Sequence, residues 1–592
     1  MKKYFSASLI IIILLLSTHA FLGLQTMRHL SPTYDEHVHL TAGYSYFKTR
    51  DYRLNSFDHP PFAEMWAAVP LLFLNPAFPT QHPYWQNILR YQYPFSDIFI
   101  YKNNVDPEKM LNSGRTMILL LSLLLGLCMY FFAKEMFGAL PAYSALFLWC
   151  FSSVFLAHGS LVTTDMAVTL FYFSTIFFFW RWYKAIEQKK EAVIYPAAQK
   201  SLDSYRVKNI KDGGVSHYSS PVAHCGTGSR KAGKVFHKAV FAGLSLGLLM
   251  ASKYSAIIIF PVIGLIILFY WMSGKLKIKE AANLTSIGAV SILAVLLIVY
   301  QLSSLETFYL IGLKKVIKGV SSGRSAFLLG EHSITGWFYY FPVTFILKTP
   351  LPLIALIIVS FFVRKLWTVE RALFLLLPAA VYLGISCYAK VNIGHRHIMP
   401  IYPFLIVWVS GLFMFLDKKI FQAGAVLLMI WYSYGSLKAH PWHLCYFNEI
   451  VGSSDNGYKY LTDSNVDWGQ GLKSLGKYLK DEKVSGIYFN YFGTGDPHYY
   501  GIKYMPFGFI DNISYPNSKG LRDGDIVDFS KEPKVFFAVS ATNLQATYYA
   551  DKQIFSWLKE IPYETIIAHS IFVYDMTKHP KEYAKLIGMI GR

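Results

Sequence analysis

The stretch Ser31-Pro-Thr-Tyr-Asp-Glu-His-Val-His-Leu40 places two adjacent carboxylates, Asp35 and Glu36, and two histidines, His37 and His39, directly after the first apolar segment. Paired carboxylates suit proton transfer and the orientation of a hydroxyl, although an acid pair also serves simply to solvate a loop. More charge sits at the ends of later apolar runs: Arg115, Asp165, Lys253, Lys348 and Arg396. Polar clusters accompany it, namely Asp58-His59-Pro60-Pro61, Gly330-Glu331-His332, Trp337-Phe338-Tyr339-Tyr340 and Asn392-Ile393-Gly394-His395-Arg396-His397. Arginine offers paired donors to a phosphate. Carboxylates and cations from separated segments thus gather at one face.

Each residue has a structural reading as well. Asp165 opens a helix, where the dipole favours a carboxylate. Lys253 can snorkel to headgroups, and His395-Arg396-His397 can anchor a helix at the interface. Lys348 lies about two turns inside an apolar run, where an unpaired charge is costly. It therefore calls for a partner.

What must position these residues is a membrane domain. The 592 residues are 54% hydrophobic, 17% aromatic and 16% charged, with mean hydropathy +0.33. Apolar runs near twenty residues recur, as expected of a polytopic α-helical membrane protein. Phe5–Leu24 reads as an uncleaved anchor, and further spans are expected near 116–133, 139–157, 162–183, 236–252, 254–272, 282–302, 343–363, 372–388, 398–416 and 420–437. Eleven spans put the termini on opposite sides. Phe62–Leu74 is too short to cross and reads as an interfacial helix.

Net charge is +20. Its excess lies in Lys2-Lys3, Lys134, Lys275/Lys277/Lys279, Arg364-Lys365 and Lys418-Lys419, on the side of the N-terminus. The positive-inside rule makes that side cytoplasmic, including a basic 184–235 loop whose 190–233 insert reads as flexible. The 25–114 loop and the acidic motif then face outward. So does everything after residue 437, where 438–592 reads as a small extracytoplasmic α/β domain beyond the 1–437 membrane domain. Strand-like runs occur at Gly486–Phe492, Val535–Val539 and Thr565–Tyr574, with helical patterns at Leu472–Leu479 and Asp551–Glu560. No nucleic-acid-binding pattern accompanies the charge. The five cysteines show no CxxC spacing, so neither a disulfide framework nor a zinc ribbon is implied. Walker A, G-x-S-x-G and dinucleotide motifs are missing from the sequence.

Tyr34-Asp35-Glu36, Asp58-His59-Pro60-Pro61, Arg115 and Thr164-Asp165 resemble the polyprenol-dependent membrane glycosyltransferases of the GT-C fold, in particular glycosyltransferase family 39, the protein O-mannosyltransferase and aminoarabinose transferase group. Lys253-Tyr254, Tyr339-Tyr340-Phe341-Pro342 with Lys348-Thr349-Pro350, and Arg396-His397-Ile398-Met399-Pro400 resemble later spans of a bacterial branch. Asp463-Ser464-Asn465 with Asp467-Trp468-Gly469-Gln470 resembles its outer domain. The resemblance implies inverting transfer of a monosaccharide, a hexose such as mannose, from a polyprenyl-phosphate carrier to a protein Ser/Thr, lipid or glycan hydroxyl. It implies Asp35 as general base, Glu36 and Asp165 as orienting acids, and Lys253, Lys348 and Arg396 at the donor phosphate, with Arg115 orienting the acidic pair or joining the phosphate set. His59, Glu331, His397 and Tyr340 are substrate-contact candidates. Some relatives hold a divalent metal between a loop carboxylate and a histidine, for which Glu64, His59 or His332 are candidates; no cofactor is otherwise implied. A flippase or transporter of a lipid-linked saccharide is the rival from another class, and it would require charges deep in the bundle and inverted repeats.

Overall fold

The computed structural model describes residues 2–209, 227–302, 306–415, 418–507, 527–529 and 532–590. Among them, seven helices are long and apolar enough to cross a bilayer: Ser8–His29, Pro107–Phe137, Tyr254–Met272, Ile278–Val299, Val369–Tyr388, His395–Phe415 and Lys419–Ala439. The chain is an integral membrane protein. Lys419–Ala439 shows why: only Tyr432 and Ser436 are buried, while Ile420, Leu427 and Ile430 are exposed. Such an apolar exterior needs lipid.

Eleven spans were expected, and the difference has local causes. The expected span 343–363 is two helices, Tyr340–Lys348 and Leu351–Phe362, bent by 113°. Pro350 removes a backbone donor and forces Thr349 into an extended conformation (φ −91°, ψ 132°). The carbonyls of Ile346 and Thr349 accept hydrogen bonds from Asn448 Nδ2 at 2.5 and 2.8 Å. The expected span 139–157 divides at Phe151-Ser152 into Ala139–Cys150 and Ser153–His158. Val235–Met250 is apolar but short, and the aromatic-rich start of Asp165–Asn209 is not apolar enough to pass as a span by composition. That last helix continues through residues read from sequence as loop. Residues 210–226 of the expected cytoplasmic loop lie outside the described residues.

The first long loop is helical. After α1 (Lys2–His29) come α2 (Glu36–Thr49) and α3 (Phe62–Ala68). The latter belongs to the stretch read as interfacial, yet Ala63, Glu64, Ala67 and Ala68 are buried. The reason is close packing on α2, where a Cβ at Gly43 would lie 2.0 Å from the Glu64 carbonyl oxygen.

Toward the C-terminus, five strands form one mixed sheet: β3 (Ile487–Asn490), β4 (Tyr504–Pro506), β5 (Phe536–Ser540), β6 (Thr565–Ile567) and β7 (Ile571–Asp575), in the order β4-β3-β5-β7-β6. β1 (Ala326–Leu328) and β2 (Glu331–Ser333) form a separate hairpin. β3, β5 and β7 are buried throughout, as central strands covered on both faces must be. Leu472, Leu475 and Leu479 of helix Leu472–Asp481 cover one face, against Ile487, Phe489 and Phe536. The run Thr565–Tyr574 is a hairpin rather than one strand, because Ala568 and His569 are both left-handed (φ 52° and 54°). Asp551–Glu560 forms only a 3-10 turn at Ser556–Glu560. Asp551 instead accepts a hydrogen bond from the Gln553 N–H (2.8 Å), a local bond that competes with helix.

Gly43→Ala is expected to push α2 off α3 and lower the melting temperature of the purified protein. An unchanged melting curve would contradict the contact.

Candidate active site

The acidic loop is fixed by one buried ion pair. Glu36 is fully buried and meets the Arg115 guanidinium twice (Nε–Oε1 2.9 Å, Nη2–Oε2 2.7 Å). Its oxygens also accept from the Thr33 and Val162 N–H groups, each at 2.8 Å. Burial alone would raise its pKa, but the Arg115 charge and these donors hold it below the usual carboxylate range. Arg115 donates further to the carbonyls of Met27, Leu30 and Ser31 (3.0–3.3 Å) and to Asn112. It ties loop to span and has no donor turned toward Lys253 or Arg396. Arg115 therefore sits with the acidic pair and apart from the other phosphate candidates.

The neighbouring carboxylate is different. Asp35 precedes the first residue of α2, and its side chain is 26% exposed against 0% for Glu36. It lies 3.6 Å from Arg396 Nη2 and accepts from the Tyr93 hydroxyl at 3.3 Å. Arg396 also reaches Asp165 through Nη1 (3.2 Å) and Ser464 Oγ through Nε (3.1 Å), and its plane lies 4.2 Å over Trp468. Asp165, buried at the start of its helix, accepts from Lys253 Nζ at 2.5 Å. Asp35, Asp165, Lys253 and Arg396 thus meet in one cluster.

Three imidazoles surround it. His59 Nδ1, His158 Nδ1 and His397 Nε2 are buried without a protein hydrogen-bond partner among the described residues. All three interact electrostatically with Asp165, Lys253 and Arg396. Burial, with the His39 and Lys253 charges, keeps His59 well below its ordinary pKa, so at neutral pH it carries one N–H and one lone pair.

Other candidates lie elsewhere. Lys348 donates to the carbonyls of Leu444 (2.8 Å) and Asn465 (2.5 Å) and sits 4.3 Å over Phe447. It supports the turn bearing Ser464 from beneath. Tyr340 is buried, its hydroxyl accepting from Asn465 Nδ2 (2.9 Å). Glu331 is exposed at the turn of the β1–β2 hairpin, and His332 bonds the Gln545 carbonyl (2.7 Å). Glu64 is saturated by His39 Nδ1 (2.8 Å), Asn55 Nδ2 (2.5 Å) and the Tyr46 hydroxyl (2.9 Å). No group of three or more His, Cys, Asp or Glu side chains among the described residues is arranged to hold a metal ion.

Several residues at the cluster escaped the sequence reading of the site. Ser464 and Trp468 belong to the Asp463–Gln470 stretch, visible in the sequence only as a resemblance. The structure shows this stretch clamping the acidic loop: Tyr34 N–H donates to the Trp468 carbonyl (2.8 Å), Ser31 N–H to that of Gln470 (3.1 Å), and Ser31 Oγ to that of Gly469 (2.9 Å). Asp463 is buried and accepts from the Tyr548 hydroxyl. Asp467 is buried beside it, held by the Thr542 N–H (3.0 Å), and burial pushes its pKa up to about 7.

No protein-family model and no curated protein matches the chain. Among solved structures it is similar to ArnT from Cupriavidus metallidurans in the apo state, at 11% identity over 96% of this chain and 98% of that one, with TM-score 0.45. ArnT from the same organism bound to undecaprenyl phosphate gives 11% identity over 95% and 97%, again at 0.45. The apo oligosaccharyltransferase of Archaeoglobus fulgidus gives 12% identity and TM-score 0.43 over 73% of this chain and 56% of its own.

Two outcomes follow from this geometry. Arg115→Ala leaves Glu36 buried and unpaired, and is expected to cost about 3–5 kcal/mol, read as a fall in melting temperature; a shift near zero would contradict the clamp. Asp467 binds its proton more tightly folded than unfolded. It therefore takes stability away as pH rises from about 4, the ordinary carboxyl value, to about 7. Asp467→Asn should weaken the fall in melting temperature between pH 5 and pH 8, whereas an unchanged slope would contradict the assignment.

Proposed function

We propose that the chain is an inverting glycosyltransferase. It moves a monosaccharide, a hexose such as mannose, from a polyprenyl-phosphate carrier to an acceptor hydroxyl on a protein Ser/Thr, a lipid or a glycan. The observation that carries this reading is the meeting of Asp35, 26% exposed, with Arg396, which also pairs with the buried Asp165 that holds Lys253. The motif resemblance supports the same chemistry.

In this mechanism the acceptor oxygen attacks the anomeric carbon from the side of Asp35. The new C–O bond forms as the bond from that carbon to the phosphate oxygen breaks. Asp35 takes the hydroxyl proton, and the electron pair leaves on the polyprenyl phosphate. Lys253 and Arg396 face the growing negative charge, where donors fixed in advance stabilise most. Asp165 holds both cations in place before substrate arrives. His59, His158 and His397 supply unspent ring nitrogens for sugar hydroxyls or phosphate oxygens. Glu36 acts through Arg115 as a positioning residue, and Lys348 through the Asp463–Asn465 turn. The positive charge on the N-terminal side of the spans supports placing this site on the outer face, with the N-terminus cytoplasmic.

The test is purified protein incubated with lipid-linked monosaccharides and scored for released polyprenyl phosphate. Asp35→Asn is expected to lower transfer by at least ~10²-fold, the usual contribution of a general base, with unchanged melting temperature. Full activity in that variant removes the assigned base. Passage of intact carrier across a liposome without sugar transfer would instead favour the flippase.

A further inference from the structure

A cavity of about 680 Å³ opens beside the acidic loop and plays no part in the steps above. Its walls come from Tyr34, from helix Ile88–Tyr101, from the segment just before β1, and from residues 548–552 beyond β5. No lining residue belongs to a membrane-crossing helix. The space therefore suits a ligand that comes from the aqueous or headgroup side. The size suits a one- or two-ring saccharide.

The charge of the lining is one-sided. Arg90, Arg324 and Lys552 contribute to the wall, and among the described residues no carboxylate does. Lys552 is committed to the carbonyls of Thr547 (2.8 Å) and Ala546 (3.2 Å). The two arginines are not so committed: among the described residues, neither guanidinium has a hydrogen-bond or ion-pair partner. Each instead lies over an aromatic ring, Arg324 over Tyr548 at 5.1 Å and Arg90 over Tyr91 at 5.5 Å. A guanidinium over a ring face is attracted to it without spending its N–H donors. Gly323, at φ 82°, gives the turn that presents Arg324, and any Cβ there would lie 2.2 Å from the Ile334 carbonyl oxygen.

The cavity comes within one side chain of the proposed base. Tyr34 and Tyr93 line it, and Tyr93 donates to Asp35. Arg324 interacts electrostatically with Asp35 and Asp463. A hydroxyl presented to Asp35 from this side would have its neighbouring groups beside Arg324 and Arg90.

We infer that the cavity is the acceptor site and that it selects an acidic acceptor, a saccharide carrying a carboxylate or phosphate next to the hydroxyl that is glycosylated. This deepens the transferase reading and rests on it. Two unpaired guanidinium forks facing one small space favour an anion, and a cleft of one charge sign concentrates it.

The test is binding to the full chain in nanodiscs, with glucuronate, glucose 6-phosphate and glucose as probes, alongside polyprenyl phosphate release on the same preparation. Both acidic sugars are expected to bind at least tenfold more tightly than glucose, and raised salt should erode the difference. Arg324→Gln and Arg90→Gln should each reduce the preference, the latter at unchanged melting temperature because the exposed Arg90 side chain makes no hydrogen bond among the described residues. Preference for glucuronate alone or glucose 6-phosphate alone identifies the anion and supports the inference. Equal binding of glucose, or a preference that survives both substitutions, overturns it while leaving donor turnover to stand. An acid preference without any donor turnover would keep the acidic-saccharide site and sink the transferase reading.

Discussion

Glu36 and Arg115 are charges taken out of water, and removing either leaves the other stranded at a cost of several kcal/mol. The pair survives because nothing in it is unsatisfied. Four donors converge on the carboxylate, and the guanidinium also caps three carbonyls at the end of α1. Its reach matters more than its energy. Through Thr33 it fixes the acidic loop, through Arg115 the Pro107–Phe137 helix, and through Val162 the turn that leads to Asp165. With Glu36 locked inward, α2 can begin only with Asp35 at its open edge. The adjacent acids divide the work because one is buried and one is not.

A second clamp closes from the other end of the chain. Residues 468–470 pair backbone to backbone with Ser31 and Tyr34, while Ser464 and Trp468 hold Arg396 by its edge and its face. Lys348, at the break before Pro350, stabilises the same turn through the Asn465 carbonyl. Residues 464–470, just ahead of the C-terminal sheet, are thus part of the cluster's wall rather than of an accessory domain.

Much of this was legible in the sequence. Apolar runs, their charged flanks and the hydrophobic strands follow from composition and period, and the residues proposed at the reaction centre were visible as charges at the ends of spans. Broken spans were not. Hydropathy averages over Thr349-Pro350 and over Phe151-Ser152, whereas the backbone turns there. Asp35 and Glu36 are neighbours of the same charge, and only tertiary contacts show which one is saturated. Lys348 read as a cation that calls for a partner and was placed at the donor phosphate, whereas two carbonyls and an aromatic ring satisfy it. Arg324 carried no signal at all, lying in a short run of Ser and Gly outside any periodic pattern.

The cluster's charge balance explains how it exists without substrate. Lys253 and Arg396 near membrane depth would each be expensive alone, and Asp165 lies within reach of both. A phosphate entering the proposed site need not bring all the compensation; it competes with Asp165 for donors already aimed inward. Binding the ground-state phosphodiester is then weakened by that competition. The fuller negative charge of the departing phosphate monoester gains more from the same two cations. Catalysis needs an interaction that strengthens along the reaction, and a pre-neutralised pair of cations provides one. Among the described residues only Arg396 pairs with both acids, so in the proposed mechanism charge arriving on the phosphate side would loosen its 3.6 Å contact with Asp35. In the proposed mechanism that release would couple departure of the phosphate to the freeing of Asp35 for the acceptor's proton.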